Sequence, residues 1–307
     1  MKFINDLKSL NNSQHACVAT IGNFDGLHLG HQTIIANLRQ KANAFNLPLT
    51  VISFEPLPPE YFMLDAPYRI YPLRDKIKRM ADLDVDNFVC LKFAEKLAST
   101  NPIDFIEKIL INSLNVKYLS VGDDFRFGYK RGGGFKLLQE VGETHGMIVE
   151  DTKTQVQQGE RISSTRIREA LGKGDINSAN SLLGHNYQLS GRIRHGDKRG
   201  RTIGFPTLNM KVPEHIAPQL GVYAVKIHGL SDTPLYGVSN LGMRPTVNGT
   251  ENRLETHVFD FSGDVYGKHI SVELKEFIRG EQRFENFEAL KQQISIDAET
   301  AKNIHVR

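Results

Sequence analysis

Only two cysteines occur in 307 residues, so no disulfide framework is available, and two thiols do not make a zinc site on their own. Cys17 and Cys90 both fall in apolar, strand-like runs and read as buried core thiols. Long hydrophobic runs are also absent: none approaches the roughly 20 residues of a membrane span. The N-terminal MKFINDLKSLNNSQ is too polar for a secretory signal, and a cytoplasmic location is expected. Charge of one sign is scarce. The 38 Lys and Arg against 35 Asp and Glu leave a net +3, without the clustered basic face that nucleic acid calls for. That balance suits anionic small ligands. Two familiar phosphate-binding fingerprints, GxGxxG and GxxxxGK[ST], are missing, as is any internal repeat or low-complexity tract.

What is present is the decapeptide GNFDGLHLGH at 22–31. An apolar strand, Cys17-Val18-Ala19-Thr20-Ile21, precedes it. A helix predicted over 31–46 follows, with Ile34, Ile35, Leu38, Ala42 and Phe45 on one face. A strand, a glycine turn and a helix N-terminus present free backbone N–H groups and the positive end of the helix dipole to a phosphate. His28 and His31 add donors that follow negative charge as it develops on phosphorus.

The chain changes character near 184. Before it, strands at 17–21, 49–54, 87–91, 117–121 and 147–150 alternate with helices at 31–46, 73–83, 102–114 and 134–145. This alternation predicts an α/β domain, a parallel sheet with helices on both faces, whose ligands lie beyond the C-terminal strand ends. After it, strand-like runs at 187–194, 222–227, 235–239, 254–259 and 269–277 predict a small closed antiparallel barrel. An amphipathic helix over 286–303 follows, with Phe287, Leu290 and Ile294 on a face. The domains are expected at 1–184 and 185–307.

Four further runs carry chemistry. In RISSTRIR, Ser163, Ser164 and Thr165 come just before a short helix with Arg166 and Arg168 nearby, a phosphate-holding arrangement as well as an ordinary cap. VGDDFRFG sets Asp123 and Asp124 beside Phe125 and Phe127, suited to hydrogen bonding and ring stacking, or simply to a turn with a core phenylalanine. In HGDKRGRTIGFPTLN, Gly196, Gly204 and Lys198 suit a phosphate. Thr207 and Asn209 project to one side of an extended segment, as neutral oxygen donors for Mg²⁺ that also binds ATP. Glu255 in LETHVFDF is placed to take a proton from a hydroxyl; taken alone it reads as a surface acid.

The decapeptide resembles the HxGH signature of the Rossmann-like nucleotidyltransferase superfamily. With VGDDFRFG and RISSTRIR it looks like the FMN adenylyltransferase module of bacterial FAD synthetases. GRTIGFPTLN, SNLGMRPT, LETHVFDF and FIRGEQRF resemble the riboflavin kinase domain, a small β-barrel. The resemblance implies an enzyme that phosphorylates riboflavin to FMN and adenylylates FMN to FAD, with ATP and Mg²⁺ at both steps and no nucleic acid, membrane or obligate protein partner. It implies that His28 and His31 act on the α- and β-phosphates, with Gly22, Asn23, Phe24 and Gly30 around them. Ser164, Thr165 and Arg168 would hold the triphosphate tail, and Asp124, Phe125 and Phe127 the flavin. In the second half it implies Thr207 and Asn209 on Mg²⁺, Gly196, Lys198 and Gly204 on phosphate, Glu255 as general base and Arg279 at the flavin. Two departures stand out. Leu57 occupies a loop where the family often has histidine or arginine, and Leu208 replaces the alanine of FPTAN. The rivals are a nucleotidyltransferase for a pantetheine or nicotinate nucleotide, against which the kinase-like half argues, and an aminoacylation-related module, whose KMSKS loop is missing.

Overall fold

The computed structural model describes residues 1–6, 16–122, 124–152, 156–157, 160–196, 204–246 and 249–306. Two compact units emerge: residues 1–67 with 76–162, and residues 68–75 with 163–307.

The first unit contains β1 (Lys2–Ile4), β2 (Cys17–Ile21), α1 (Leu29–Phe45), β3 (Leu49–Glu55), α2 (Pro58–Phe62), most of α3 (Leu73–Asp82), β4 (Asn87–Lys92) and α4 (Glu95–Ala98). Next come α5 (Pro102–Asp104), β5 (Val116–Val121), α6 (Phe135–Thr144), β6 (Ile148–Asp151) and the short pair β7 (Val156–Gln157) and β8 (Glu160–Arg161). Six strands form one sheet in the order β1-β4-β3-β2-β5-β6, and each neighbouring pair is parallel. From β2 the chain runs outward on one side through β3 and β4, and on the other through β5 and β6. The switch in direction therefore falls between β2 and β5, where a crevice opens beyond the strand ends. The glycine turn follows β2 and the VGDDFRFG loop follows β5, so both border that crevice.

Strands β2 and β3 are buried almost throughout, as central parallel strands must be. Helix α1 covers them with Ile35, Leu38 and Ala42, while Phe45 from the expected apolar face is 44% exposed. The expected helix over 102–114 begins with Pro102 in its first turn and Asn101 as cap, but winds as a π-helix over Phe105–Ser113. Apolar residues at 105, 106, 109 and 110 stay inward at either winding, so their spacing does not distinguish the two. Cys17 and Cys90 are buried free thiols.

The second unit contains α7 (Ser164–Gly172), α8 (Ile176–Leu183), β9 (Gln188–Arg194), β10 (Leu208–Val212), β11 (Gly221–His228), β12 (Leu235–Thr246), β13 (Gly249–Val258), β14 (His269–Gly280) and α9 (Phe287–Val306). The six strands close as an antiparallel barrel in the order β10-β13-β12-β11-β14-β9, which leaves no sheet edge exposed. Helix α9 packs Ala298 and Ala301 against Val222, Ala224 and Val238. Its small residues let it lie close to the strands. The face expected to be buried, with Phe287, Leu290 and Ile294, instead borders a cavity, and Phe287 is 56% exposed. No helix among the described residues is long and apolar enough to cross a membrane.

Candidate active sites

In the first unit the turn from β2 to α1 is bent by Gly26 at φ 87 and by two non-glycine residues, Phe24 and Leu27, both at φ 46. All three are buried. Such backbone persists only where its surroundings hold it. The Asn23 carbonyl accepts from Ser53 Oγ at 3.1 Å and from Lys76 Nζ at 2.9 Å, and the Leu27 carbonyl accepts from Gln32 Nε2 at 2.8 Å.

Helix α1 begins at Leu29, two residues earlier than predicted, with His28 as its N-cap. The His31 backbone N–H donates to His28 Nδ1 at 3.4 Å. That bond leaves Nδ1 of His28 unprotonated and its proton on Nε2. The two imidazoles stack with centroids 3.6 Å apart and planes 18° from parallel, and Phe24 lies against His31 at 5.0 Å. A Cβ on Gly30 would sit 3.1 Å from His28 Nδ1, so the glycine between the histidines makes room for the ring. Burial holds the His31 pKa well below that of an ordinary imidazole, and the charges of His28 and Lys76 push it the same way. His31 is therefore neutral near pH 7, and its buried Nδ1 has no hydrogen-bond partner among the described residues. Two stacked imidazoles at a helix N-terminus, His31 among them neutral, are a ready set of donors for phosphate oxygens.

Across the crevice, Phe125 N–H donates to Gly122 O at 3.0 Å, and Asp124 is exposed, with Arg161 Nη1 3.6 Å away. Phe125 stacks on Phe127 at 5.5 Å and 16°. Phe127 is 7% exposed, within the core and beside Phe105, so it backs Phe125. Asp123 lies outside the described residues. Leu57 is buried at the start of α2.

Ser164, Thr165 and Arg168 belong to the second unit. Ser163, the first of the three hydroxyls expected before the helix, caps α7 by accepting from the Arg166 N–H at 3.4 Å, while Ser164 and Thr165 already lie in its first turn. Arg168 Nε donates to the Tyr68 carbonyl at 2.7 Å.

In the barrel, strand register assembles a row. Asn209 on β10 faces Glu255 on β13, Glu255 faces Asn240 on β12, Asn240 faces Val222 on β11, and Val222 faces Arg279 on β14. Residues paired across neighbouring strands share a face, and all five line one cavity of about 410 Å³. Thr207 also lines it, so Thr207 and Asn209 do face the same space. Asn209 Nδ2 donates to the Thr207 carbonyl at 3.4 Å, which leaves its Oδ1 as an acceptor. A Cβ on Gly196 would come within 2.6 Å of Asn209 Oδ1, so this glycine lets the chain pass directly over the amide. Phe205, Phe284, Phe287, Leu290 and Ile294 supply an apolar wall for a flat ring.

Two ion pairs organise the polar wall. Arg244 Nη2 lies 2.6 Å from Glu255 Oε1. Arg279 grips Asp297 of α9 through Nε at 2.9 Å and Nη2 at 2.6 Å, donates from Nη1 to Gly280 O at 3.0 Å, and lies 5.7 Å from the Phe284 ring. Gln293 Nε2 donates to Asp297 Oδ1 at 2.9 Å. Arg279 thus borders the cavity with its charge already matched. Lys198 lies outside the described residues, and Gly204 is exposed on the segment leading into β10.

Sequence reasoning missed Lys76, Ser53, Arg244, Asn240 and Asp297. Arg244 stands inside the SNLGMRPT run, but only the register of β12 against β13 shows that it reaches Glu255. Lys76 and Asp297 lie within helical patterns where a charged residue reads as a solvated face. Both are buried, at 2% and 4% exposure.

A parallel-sheet domain with an HxGH turn, joined to a closed barrel holding a carboxylate among oxygen and amide donors, defines a two-domain transferase acting on phosphate groups. Family models agree: FAD synthetase matches residues 10–166 and riboflavin kinase residues 183–305. The chain is 48% identical to the bifunctional riboflavin kinase/FMN adenylyltransferase of Haemophilus influenzae, with 98% of both chains covered. It is 46% identical to that of Escherichia coli K12, covering 98% of this chain and 97% of the relative. It is 40% identical to that of Pseudomonas fluorescens, with the same coverage. The chain belongs to the bifunctional riboflavin kinase/FMN adenylyltransferase family. A crystal structure described as a macrolide-efflux protein from Streptococcus pneumoniae also matches, at TM-score 0.81 and 28% identity over 98% of each chain. Its fold is shared; the efflux description belongs to that protein.

Proposed function

We propose that the chain carries out two consecutive ATP-dependent steps, riboflavin to FMN in the barrel and FMN to FAD at the histidine turn. The observation that carries the first step is the five-strand row, which sets Glu255 between Asn209 and Asn240 in a cavity with an apolar wall. The Glu255 carboxylate takes the proton of the riboflavin 5′-hydroxyl as its oxygen attacks the γ-phosphorus of ATP, and ADP leaves. The donor set of Thr207 and Asn209 fits Mg²⁺: two neutral oxygens leave the remaining positions to ATP phosphates and water. Bound there, the ion would neutralise phosphate charge. Nearby backbone at Gly196 and Gly204 would approach the phosphates, and Lys198 would balance them.

In the second step an FMN phosphate oxygen attacks the α-phosphorus of ATP and pyrophosphate leaves. Little covalent work falls to the protein, so positioning and charge stabilisation carry the rate. His28 and His31 donate to the phosphates, with Gly22, Asn23 and Phe24 shaping the turn, and Phe125 stacks on the flavin beside Asp124. A cytoplasmic site of action suits both substrates. The test is a time course with riboflavin, ATP and Mg²⁺, resolved by chromatography: FMN appears first and FAD follows. Failure to form either flavin nucleotide overturns the reading.

A further inference from the structure

His257 borders the barrel cavity, yet the two phosphate transfers give it no task. It lies two residues beyond Glu255 on β13, so the two share a strand face, and both line the cavity. Its half-buried ring meets Phe205 at 5.2 Å and Phe259 at 5.8 Å, each edge to face. A phenylalanine would serve that packing as well. The imidazole adds a polar bond: Nδ1 lies 2.9 Å from the Pro206 carbonyl oxygen. A carbonyl only accepts, so Nδ1 carries the proton and donates.

That carbonyl stands where backbone pairing stops. The ladder between β10 and β13 begins with Leu208 opposite Thr256, and Pro206 has no N–H with which to extend it. Asn209 is already fixed opposite Glu255, but Pro206 and Thr207 lie ahead of the ladder. The Pro206 carbonyl belongs to the peptide that leads into Thr207. His257 thus holds Thr207 from its N-terminal side, while Asn209 Nδ2 reaches the Thr207 carbonyl at 3.4 Å from the other. Strand β13 carries the Glu255 carboxylate, fixes Asn209 by register and reaches the Thr207 peptide through His257.

We infer that His257 is a positioning residue for riboflavin phosphorylation: its bond to the Pro206 carbonyl keeps Thr207 in place beside Asn209 as an oxygen donor in the cavity that Glu255 lines. This rests on the reading of that cavity as the kinase site. An effect carried through Thr207 appears in the Mg²⁺ dependence of the reaction. A direct contact of His257 with riboflavin would appear in the KM for riboflavin instead.

The test uses the full chain, with His257→Phe and His257→Asn. The first keeps a ring between Phe205 and Phe259 and removes the donor. The second puts an amide nitrogen close to the place of Nδ1 and keeps it. His257→Gln, whose amide extends towards the place of Nε2, replaces His257→Phe should that variant not fold. Hydrogen exchange on ligand-free protein reads the segment 204–209 directly. Its amides should exchange about fivefold faster in His257→Phe, as the loss of one hydrogen bond requires, and at the wild-type rate in His257→Asn. The Mg²⁺ concentration for half-maximal phosphorylation should rise about fivefold or more in His257→Phe and stay near wild type in His257→Asn. The KM for riboflavin and FMN adenylylation should not change in either. Wild-type exchange in the variant without the donor, or a raised riboflavin KM with unchanged Mg²⁺ dependence, overturns the inference. Wild-type protein unable to phosphorylate riboflavin would instead sink the site reading, a result independent of the exchange measurement.

Discussion

Arg279 of β14 and Asp297 of α9 are bound through two guanidinium nitrogens, at 2.9 and 2.6 Å, with both side chains largely withdrawn from water. The pair ties the C-terminal helix to the barrel in the wall of the cavity that Glu255 and Asn209 also line. Removing one partner of a buried pair leaves the other charge uncompensated, which costs about 3–5 kcal/mol. Asp297→Ala is expected to lower stability by that order in urea denaturation and to raise the KM for riboflavin. A variant as stable as wild type would show that Arg279 finds water or another acceptor.

Glu255→Gln should abolish riboflavin phosphorylation, because the amide cannot accept the hydroxyl proton, while FMN is still converted to FAD. His28→Ala combined with His31→Ala should do the reverse. The loss of the His28 cap adds about 1 kcal/mol of destabilisation, a penalty visible in the melting temperature and separate from catalysis. Equal loss of both activities in either variant, with folding intact, contradicts two independent chemical centres.

Glycine replacements offer a subtler separation. Gly30→Ala places a methyl 3.1 Å from His28 Nδ1 and should tilt that ring, reducing adenylyl transfer alone. Gly196→Ala forces its methyl into the Asn209 amide and should reduce phosphorylation alone. If Asn209 is a Mg²⁺ ligand, the Mg²⁺ concentration for half-maximal kinase activity rises in Gly196→Ala. Steady-state assays of both reactions against Mg²⁺ decide this.

Burial raises the Cys17 thiol from 9.0 to about 11. The folded protein therefore keeps this proton more tightly than the unfolded chain. The resulting stability is complete below about pH 9 and is lost as pH rises towards 11. At about 1.4 kcal/mol per unit the loss approaches 3 kcal/mol. Cys17→Ser should flatten the alkaline fall in denaturant stability between those limits. Iodoacetamide at pH 8 should label Cys17 only after unfolding.

Much of this molecule is written locally. The alternation of apolar strands and amphipathic helices up to about 184 determines a parallel sheet, because buried strands and one-sided helices pack in few ways. The glycines and histidines of 22–31 determine a bent turn that opens a helix capped by His28, because backbone conformation and cap chemistry act within a few residues. Thr207 and Asn209 share a side because strand periodicity is two.

Other features depend on partners distant in sequence. Glu255 acquires Asn209, Asn240 and Arg244 only through barrel register, which closure sets and no single segment encodes. Lys76 and Asp297 look like solvated charges until the fold buries them against a carbonyl and a guanidinium. The helix from Phe287 carries an apolar face that local pattern assigns to the core. Tertiary packing instead seats its alanines on the barrel and turns Leu290 and Ile294 to the cavity, because small residues allow the closer approach.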